Sequence, residues 1–303
     1  MNERMKGIDN RNQDRNQAQA KIRKILVTGA GGQLGQELVR LHIPNIELVG
    51  VDRQAMDITD ADRCERVMAS IAPDVIIHSA AYTAVDRVEA DDEQAWLVNA
   101  VGTRNVARVA ESIGAELCYV STDYVFDGAG DEPYREDDKT EPASVYGRTK
   151  LAGERFALEE CSNTYVVRTS WMYGRYGTNF VYTMLRLANE QRELYVVNDQ
   201  TGSPTYTLDL ANLLVDLVQT ERYGIYHASN SGSCTWYDFA QAIFEETNLT
   251  DKVTVTPCRT ADFPRPAPRP AYSVLGQNAL IHAGFEPLRH WRMALREFLG
   301  TAT

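Results

Sequence analysis

No apolar run in the 303-residue sequence approaches the roughly 20 residues that a bilayer span requires. The first residues also lack the apolar core of a secretory signal, so a soluble, cytosolic protein with no membrane partner is expected. Cysteine is sparse: Cys64, Cys118, Cys161, Cys234 and Cys258 lie far apart, are odd in number and form no CxxC pair. That argues against a disulfide framework and reads as scattered, buried thiols in a reducing compartment. The five histidines (His42, His78, His227, His282 and His290) show no metal-ligand spacing and are read as structural. Positive charge is in deficit, with 31 Lys and Arg against 42 Asp and Glu and a net charge of −11. A nucleic-acid partner is therefore not expected, although a local cationic pocket for an anionic small molecule is compatible with the balance.

What is present is the composition of an ordinary globular protein, 44% hydrophobic and 24% charged. Residues 1–20 are almost all polar, and 1–23 read as a disordered tail, because such a stretch cannot bury enough surface to offset its ordering entropy. From Lys24 the pattern alternates strand and helix. Strands are expected at 25–28, 46–51, 74–77, 117–121 and 165–169, with helices at 33–41, 60–71, 92–113 and 145–161 between them. Short, near-continuous apolar strands imply burial on both faces. The fold class is therefore α/β, a doubly wound parallel sheet of the Rossmann type. After Trp171 the loops lengthen, and Pro264, Pro266, Pro268 and Pro270 read as an extended segment laid against the body of the protein. Residues 24–170 are thus expected to form a dinucleotide-binding domain. Residues 171–303 are expected to form mainly a smaller α/β substrate lobe, partly interwoven with the first.

The first strand ends in a GxxGxxG turn made by Gly29, Gly32 and Gly35, and a helix begins at once. The first glycine allows the tight turn, the second lets backbone approach a pyrophosphate, and the third lets helix pack on strand. The start of the helix offers free N–H groups to phosphate. Asp52 closes the second strand, where a carboxylate can accept from the ribose hydroxyls. Arg53 follows it, and its guanidinium could meet a 2′-phosphate that Asp52 repels. Both NADH and NADPH are therefore expected to serve. A second constellation, Tyr146-x-x-x-Lys150, opens a predicted helix and places phenol and ammonium on one face. A lysine there would pull the phenol down from about 10 toward the working range. By itself YxxxK is more often an ordinary surface pair. Upstream, Ser121-Thr122-Asp123 ends the fourth strand at the sheet edge where doubly wound folds hold ligands.

Together these motifs resemble the extended short-chain dehydrogenase/reductases. STDYVFDG (121–128), YGRTKLAGE (146–154), RTSWMYG (168–174), NFVYTMLRLA (179–188), NDQTGSPT (198–205) and RPAYSVL (269–275) are similar, within them, to the dTDP-4-dehydrorhamnose reductase family. The resemblance implies reduction of the 4-keto group of dTDP-4-dehydro-L-rhamnose by NADPH or NADH. It makes Tyr146 the proton donor and Lys150 the residue that holds nicotinamide ribose. Thr122 would polarise the keto oxygen, and Asp123 would touch the sugar. It assigns Gly32, Gln33 and Leu34 to the pyrophosphate and Asp52 to ribose. The adenine end would fall to Asp57 and Ile58, the nicotinamide half to Ala81, Tyr82 and Thr83, with Asn99 nearby. Trp171 would pack on the substrate and Arg269 would pair with its diphosphate. Plainer readings stay open: Trp171 as core filler, Arg269 as a surface charge and Asp57 as a helix cap. Two other functions also stay open. One is a different nucleotide-sugar reductase or epimerase of the same family; the other is a non-catalytic regulatory subunit on this fold. Some bacterial relatives join two subunits through a glutamate-bound Mg2+. Glu37 matches one such ligand but Leu208 stands where another acid belongs, so the metal and the homodimer remain open.

Overall fold

The structure, a computed structural model, describes residues 22–302. The polar segment expected to be disordered lies outside them, apart from its last two residues. Arg23, read as the end of that tail, is instead the first residue of a strand. Its N–H donates to the Asn45 carbonyl at 2.9 Å and it stands opposite Ile46.

Six parallel strands form the central sheet. They are β1 (Arg23–Thr28), β2 (Ile46–Val51), β3 (Val75–His78), β4 (Glu116–Thr122), β5 (Thr164–Thr169) and β6 (Gly224–His227), in the spatial order β6-β5-β4-β3-β1-β2. Ile25 and Val27 enter the core on one face and Leu26 on the other, all three fully buried. That two-sided burial is why the strand reads as an unbroken apolar run. The chain passes from β1 to β2 on one side and then to β3 on the other. The reversal leaves a crevice at the carboxyl ends of β1 and β3, where doubly wound sheets bind ligands.

Helices α1 (Gln33–Leu38) and α2 (Ala61–Ile71) follow β1 and β2. Helix α1 stops three residues short of the expected end. Its last turn tightens instead, with Arg40 and Leu41 N–H bonded to the carbonyls of Glu37 and Leu38, three residues back. The long helix α3 spans 92–113 and is interrupted by a π-helical turn at Leu97–Gly102. Helix α4 (Val145–Glu160) is capped by Ser144, whose hydroxyl accepts the Gly147 N–H at 3.0 Å.

Beyond residue 171 lie α5 (Phe180–Glu190), α6 (Thr207–Leu217), α7 (Trp236–Glu246) and α8 (Trp291–Ala302). Helices α5, α7 and α8 close over an aromatic core containing Tyr173, Tyr206, Phe239 and Phe298. Strand β6 and helix α6 go the other way. The strand pairs with β5, and the helix packs Leu210, Leu213 and Leu214 with Leu34 and Leu38 of α1. Of the cysteines, four are buried as expected, whereas Cys258 is half-buried.

Two buried histidines are held neutral inside this framework. His78 Nδ1 lies 2.6 Å from Thr28 Oγ1 and Nε2 lies 3.2 Å from Thr103 Oγ1. His227 Nδ1 meets the carbonyls of Tyr134 and Gly276 at 3.1 and 3.0 Å. Burial pushes both down to about 3, from an ordinary 6.5. Between those values the unfolded chain binds two protons that the native state refuses. Each histidine therefore costs about 1.4 kcal/mol of stability per pH unit on acidification. Asp123, raised by burial from 3.8 to about 6, acts in the opposite sense below that pH. Glu37 and Glu116, also raised by burial, add to that opposition, so urea unfolding is expected to show a net loss on the order of 1–2 kcal/mol between about pH 7 and pH 5. A flat or rising profile would contradict the assignment.

Candidate active site

The glycine turn makes the first half of the site. Gly29 has φ +68°, and a Cβ there would lie 2.7 Å from the Ala80 backbone, while a Cβ on Gly35 would collide with the Gly29 carbonyl. Only glycine lets the β1 turn approach the loop after β3 and lets α1 pack onto the turn. The result is a crevice of about 750 Å³ lined by Gly29, Gly32, Asp52, Arg53, Asp57, Ile58, Ala81 and Tyr82 among others. Asp52 Oδ1 accepts the Ala55 N–H at 2.9 Å, and Arg53 Nε reaches Asp57 Oδ2 at 3.3 Å. Capping of α2 falls to Asp60, which accepts the Arg63 N–H at 2.9 Å; Asp57 instead accepts from Thr59 and stays in the crevice.

The remaining residues assigned to this half divide into two kinds. Leu34 is buried in the sheet–helix core, so only its backbone could serve a phosphate. Gln33 Oε1 accepts from Asn179 Nδ2 at 3.2 Å, tying the glycine turn to the second lobe. Thr83 does not line the crevice; its carbonyl takes the Val85 N–H at 2.8 Å. Asn99 sits in the π-helical turn, fully buried. Its amide grips the Tyr82 backbone at 2.7 and 3.2 Å and donates to Thr149 Oγ1 at 3.0 Å. Asn99 thus positions the Tyr82 loop against α4.

The second half lies at the ends of β4 and β5. Thr122, Asp123 and Tyr146 line one cavity of about 670 Å³ together with Trp171, Trp236, Arg265 and Arg269. Tyr146 is buried against the edge of Tyr124, ring centroids 5.5 Å apart. Burial, then the neighbouring Asp123, holds its phenol above the ordinary value, opposed by a hydrogen bond with Thr122. The expected downward pull by Lys150 is not what this geometry gives. The Lys150 ammonium donates to the Val120 carbonyl at 2.7 Å and lies 4.1 Å over the Tyr119 ring. Burial brings Lys150 down to about 7, while Glu154, one turn on, pushes it up. A phenol held up in this way keeps its proton at neutral pH, which is the form a proton donor needs. Thr122 Oγ1 donates to Asp123 Oδ1 at 2.8 Å and accepts the Tyr124 N–H at 3.2 Å.

Trp171 has φ +46°, a left-handed conformation that is strained for so bulky a residue and costs on the order of 1–3 kcal/mol. Its indole stacks on Trp236, centroids 3.5 Å apart with planes 5° from parallel, and it lines the cavity, so it is a wall of the site as well as part of the core. Arg269 is not a solitary cation, because its guanidinium pairs with Asp86 at 2.8 Å. Asp86, Trp236 and Arg265 also line the cavity and were missed in the sequence. Arg265 had a signal, lying four residues before Arg269 in the same Pro-rich run; Asp86 had none.

Glu37 is buried, raised by that burial, and takes a hydrogen bond from Thr207 Oγ1 at 3.2 Å. Among the described residues there is no cluster of three or more His, Cys, Asp or Glu that could hold a metal ion. No helix among them is long and apolar enough to cross a membrane.

Residues 23–303 match the family described as RmlD substrate binding domain. The chain is 46% identical over 277 residues to the spore coat polysaccharide biosynthesis protein SpsK of Bacillus subtilis, covering 91% of this chain and 96% of that one. It is 45% identical over 279 residues to a dTDP-4-dehydrorhamnose reductase of Streptomyces griseus, covering 90% and 91%. Among solved structures, a dTDP-4-dehydrorhamnose reductase of Bacillus anthracis in complex with NADP superposes with a TM-score of 0.90. It is 43% identical, over 92% of this chain and 99% of that one.

Proposed function

The chain belongs to the RmlD substrate-binding-domain family, and from that membership and the geometry of its two cavities we infer its activity. It is an NAD(P)H-dependent oxidoreductase that reduces the 4-keto group of dTDP-4-dehydro-L-rhamnose to give dTDP-L-rhamnose. One observation carries the reading: the Tyr146 phenol, Thr122 and Asp123 share a cavity with Trp171 and Arg269, at the carboxyl ends of the strands whose β1–β3 crevice is shaped for a dinucleotide.

The glycine turn fits the pyrophosphate of such a cofactor, because Gly31 and Gly32 line the crevice at the uncapped start of α1 and a Cβ on Gly31 would project into open space there. Asp52 would accept from ribose, and Asp57 and Ile58 would border the adenine end. Bound there, the reduced nicotinamide supplies the hydride that reaches the keto carbon. Tyr146 donates its phenolic proton to the keto oxygen as that oxygen becomes a hydroxyl. Thr122, whose hydroxyl proton goes to Asp123 in the free protein, would turn it to the same oxygen and stabilise the charge that develops there. Lys150, one helical turn from Tyr146, would hold the nicotinamide ribose. Trp171 holds the sugar ring, and Arg269 takes the diphosphate, whose binding energy orients the reacting carbon. Residues 24–170 would serve mainly the dinucleotide and 171–303 mainly the sugar nucleotide, in the cytosol.

The direct test supplies purified protein with dTDP-4-dehydro-L-rhamnose and NADPH or NADH. Oxidation of the cofactor with formation of dTDP-rhamnose is expected; no turnover on this sugar would refute the reading. Both cofactors should work within about tenfold in kcat/KM, a difference of about 1.4 kcal/mol. Arg53 is 76% exposed and its pair with Asp57 is a surface ion pair worth about 0–1 kcal/mol, so turning to a 2′-phosphate costs it little. Arg53→Ala should therefore weaken NADPH selectively and Asp52→Ala should weaken NADH. An Arg53→Ala enzyme indifferent to the 2′-phosphate would defeat this account of the pocket.

A further inference from the structure

Behind the catalytic pair lies a buried ion pair that the mechanism above does not use. Glu154 and Arg168 are each about 2% exposed. Arg168 Nε and Nη2 donate to the two Glu154 oxygens at 2.9 and 2.8 Å, and the Ser121 hydroxyl donates to Oε1 at 2.5 Å. Arg168 also donates to the Glu136 carbonyl at 3.2 Å. Replacing a buried ion pair with apolar residues of similar volume is often neutral or stabilising for a fold, because the cost of taking two charges out of water offsets their attraction. The location of this pair suggests another purpose.

Tyr146, Lys150 and Glu154 are spaced four residues apart on α4 and so follow one face of the helix. That face meets three consecutive residues of β4. The Val120 carbonyl holds Lys150, Ser121 is held by Glu154, and Thr122 enters the cavity beside Tyr146. Ser121 is also the direct cross-strand neighbour of Arg168 on β5. A single carboxylate therefore ties α4, β4 and β5 together two helical turns beyond Tyr146, through the residue next to Thr122.

We propose that Glu154 is a positioning residue. Acting through Ser121 and Arg168, it fixes the end of β4 against α4 and so sets the separation of the Thr122 hydroxyl from the Tyr146–Lys150 pair. The inference rests on the reductase reading for its kinetic consequence but not for its structural one. Productive constellations tolerate about 0.5 Å of slack, and a misplacement of about 1 Å can cost 10²-fold in rate.

Glu154→Leu with Arg168→Met removes both charges at nearly constant volume and is expected to fold, whereas Glu154→Gln alone would strand a buried guanidinium. Ser121→Ala removes one hydrogen bond and no charge. In the double variant kcat is expected to fall about 10- to 100-fold, with KM for the sugar nucleotide and the dissociation constant for NADPH within about threefold of wild type. Ser121→Ala should show the same split, with a smaller loss. Unchanged kcat in either variant would overturn the proposal, as would parallel losses of kcat, cofactor affinity and melting temperature. A crystal structure of Ser121→Ala supplies a readout independent of the sugar. The end of β4 should move relative to Tyr146 by about 0.5 Å or more. An unmoved Thr122 would overturn the positioning role, whereas a wild-type enzyme that ignores the dTDP-sugar would refute only the functional reading.

Discussion

Replacing Tyr146 by Phe is expected to lower kcat by about 10²- to 10⁴-fold, the usual loss when a positioned general acid is removed. The ring should keep its place. It is buried and packs edge-on to Tyr124, and Thr122, the hydroxyl's partner, keeps its bonds to Asp123 and the Tyr124 N–H when the hydroxyl is deleted. NADPH affinity should change little, because the glycine crevice and its Asp52 end are untouched by the change. The measurement is steady-state reduction of dTDP-4-dehydro-L-rhamnose beside calorimetric cofactor binding. A Phe variant with near-normal turnover would remove Tyr146 from the role of donor. Equal losses of turnover and cofactor affinity would assign it to binding instead.

Arg269→Ala is expected to raise KM for the sugar nucleotide by about 10- to 150-fold, the equivalent of one charge-assisted contact of about 1.5–3 kcal/mol. KM for the dinucleotide should stay nearly constant, since Arg269 lines the cavity of Tyr146 and not the glycine crevice. The pairing of Arg269 with Asp86 does not forbid this. Both side chains are partly exposed, at 20% and 33%, so exchanging a carboxylate for a diphosphate costs little. Arg269→Lys should recover only part of the loss, because an ammonium cannot present the planar two-point fork of a guanidinium. Equal effects on both ligands, or none, would place Arg269 outside the substrate site.

Much of this was legible because it is local. Ile25-Leu26-Val27 reads as a two-sided strand from its own composition, and Gly29 and Gly35 announce a close approach that no other residue permits. Tyr146 and Lys150 share a helix face by spacing alone. What escaped is set by distant contacts. Ile225-Tyr226-His227 reads as a short strand from its own residues, but nothing in it says that it completes the first sheet beside β5. The turn that ends α1 early and the π-helical interruption carrying Asn99 depend on packing that residue order does not encode locally. Helix α8 is different, since its buried Trp291, Ala294, Leu295, Phe298 and Leu299 recur at helical spacing and so carry a local signal that the sequence reading missed. The Asp86 partner of Arg269 lies 183 residues from it, and only the folded chain brings the two together. The upward shift of the Tyr146 phenol has the same origin, since it comes from burial and from Asp123.

The return of β6 and α6 to the first lobe bears on how the polypeptide is made. Strand β6 begins 55 residues after β5 ends, so a ribosome that has just released β5 leaves the sheet with an open border. The exposed peptide groups of β5 and the apolar flank later covered by Leu210, Leu213 and Leu214 then have no native cover. The first lobe is therefore completed only after the opening part of the second lobe, including α5, has emerged. A fragment ending near residue 171 would expose a sticky strand and an uncovered helix, the conditions under which nascent chains aggregate or engage chaperones. The two lobes are distinct in the ligands they are read to hold, but they mature as one unit.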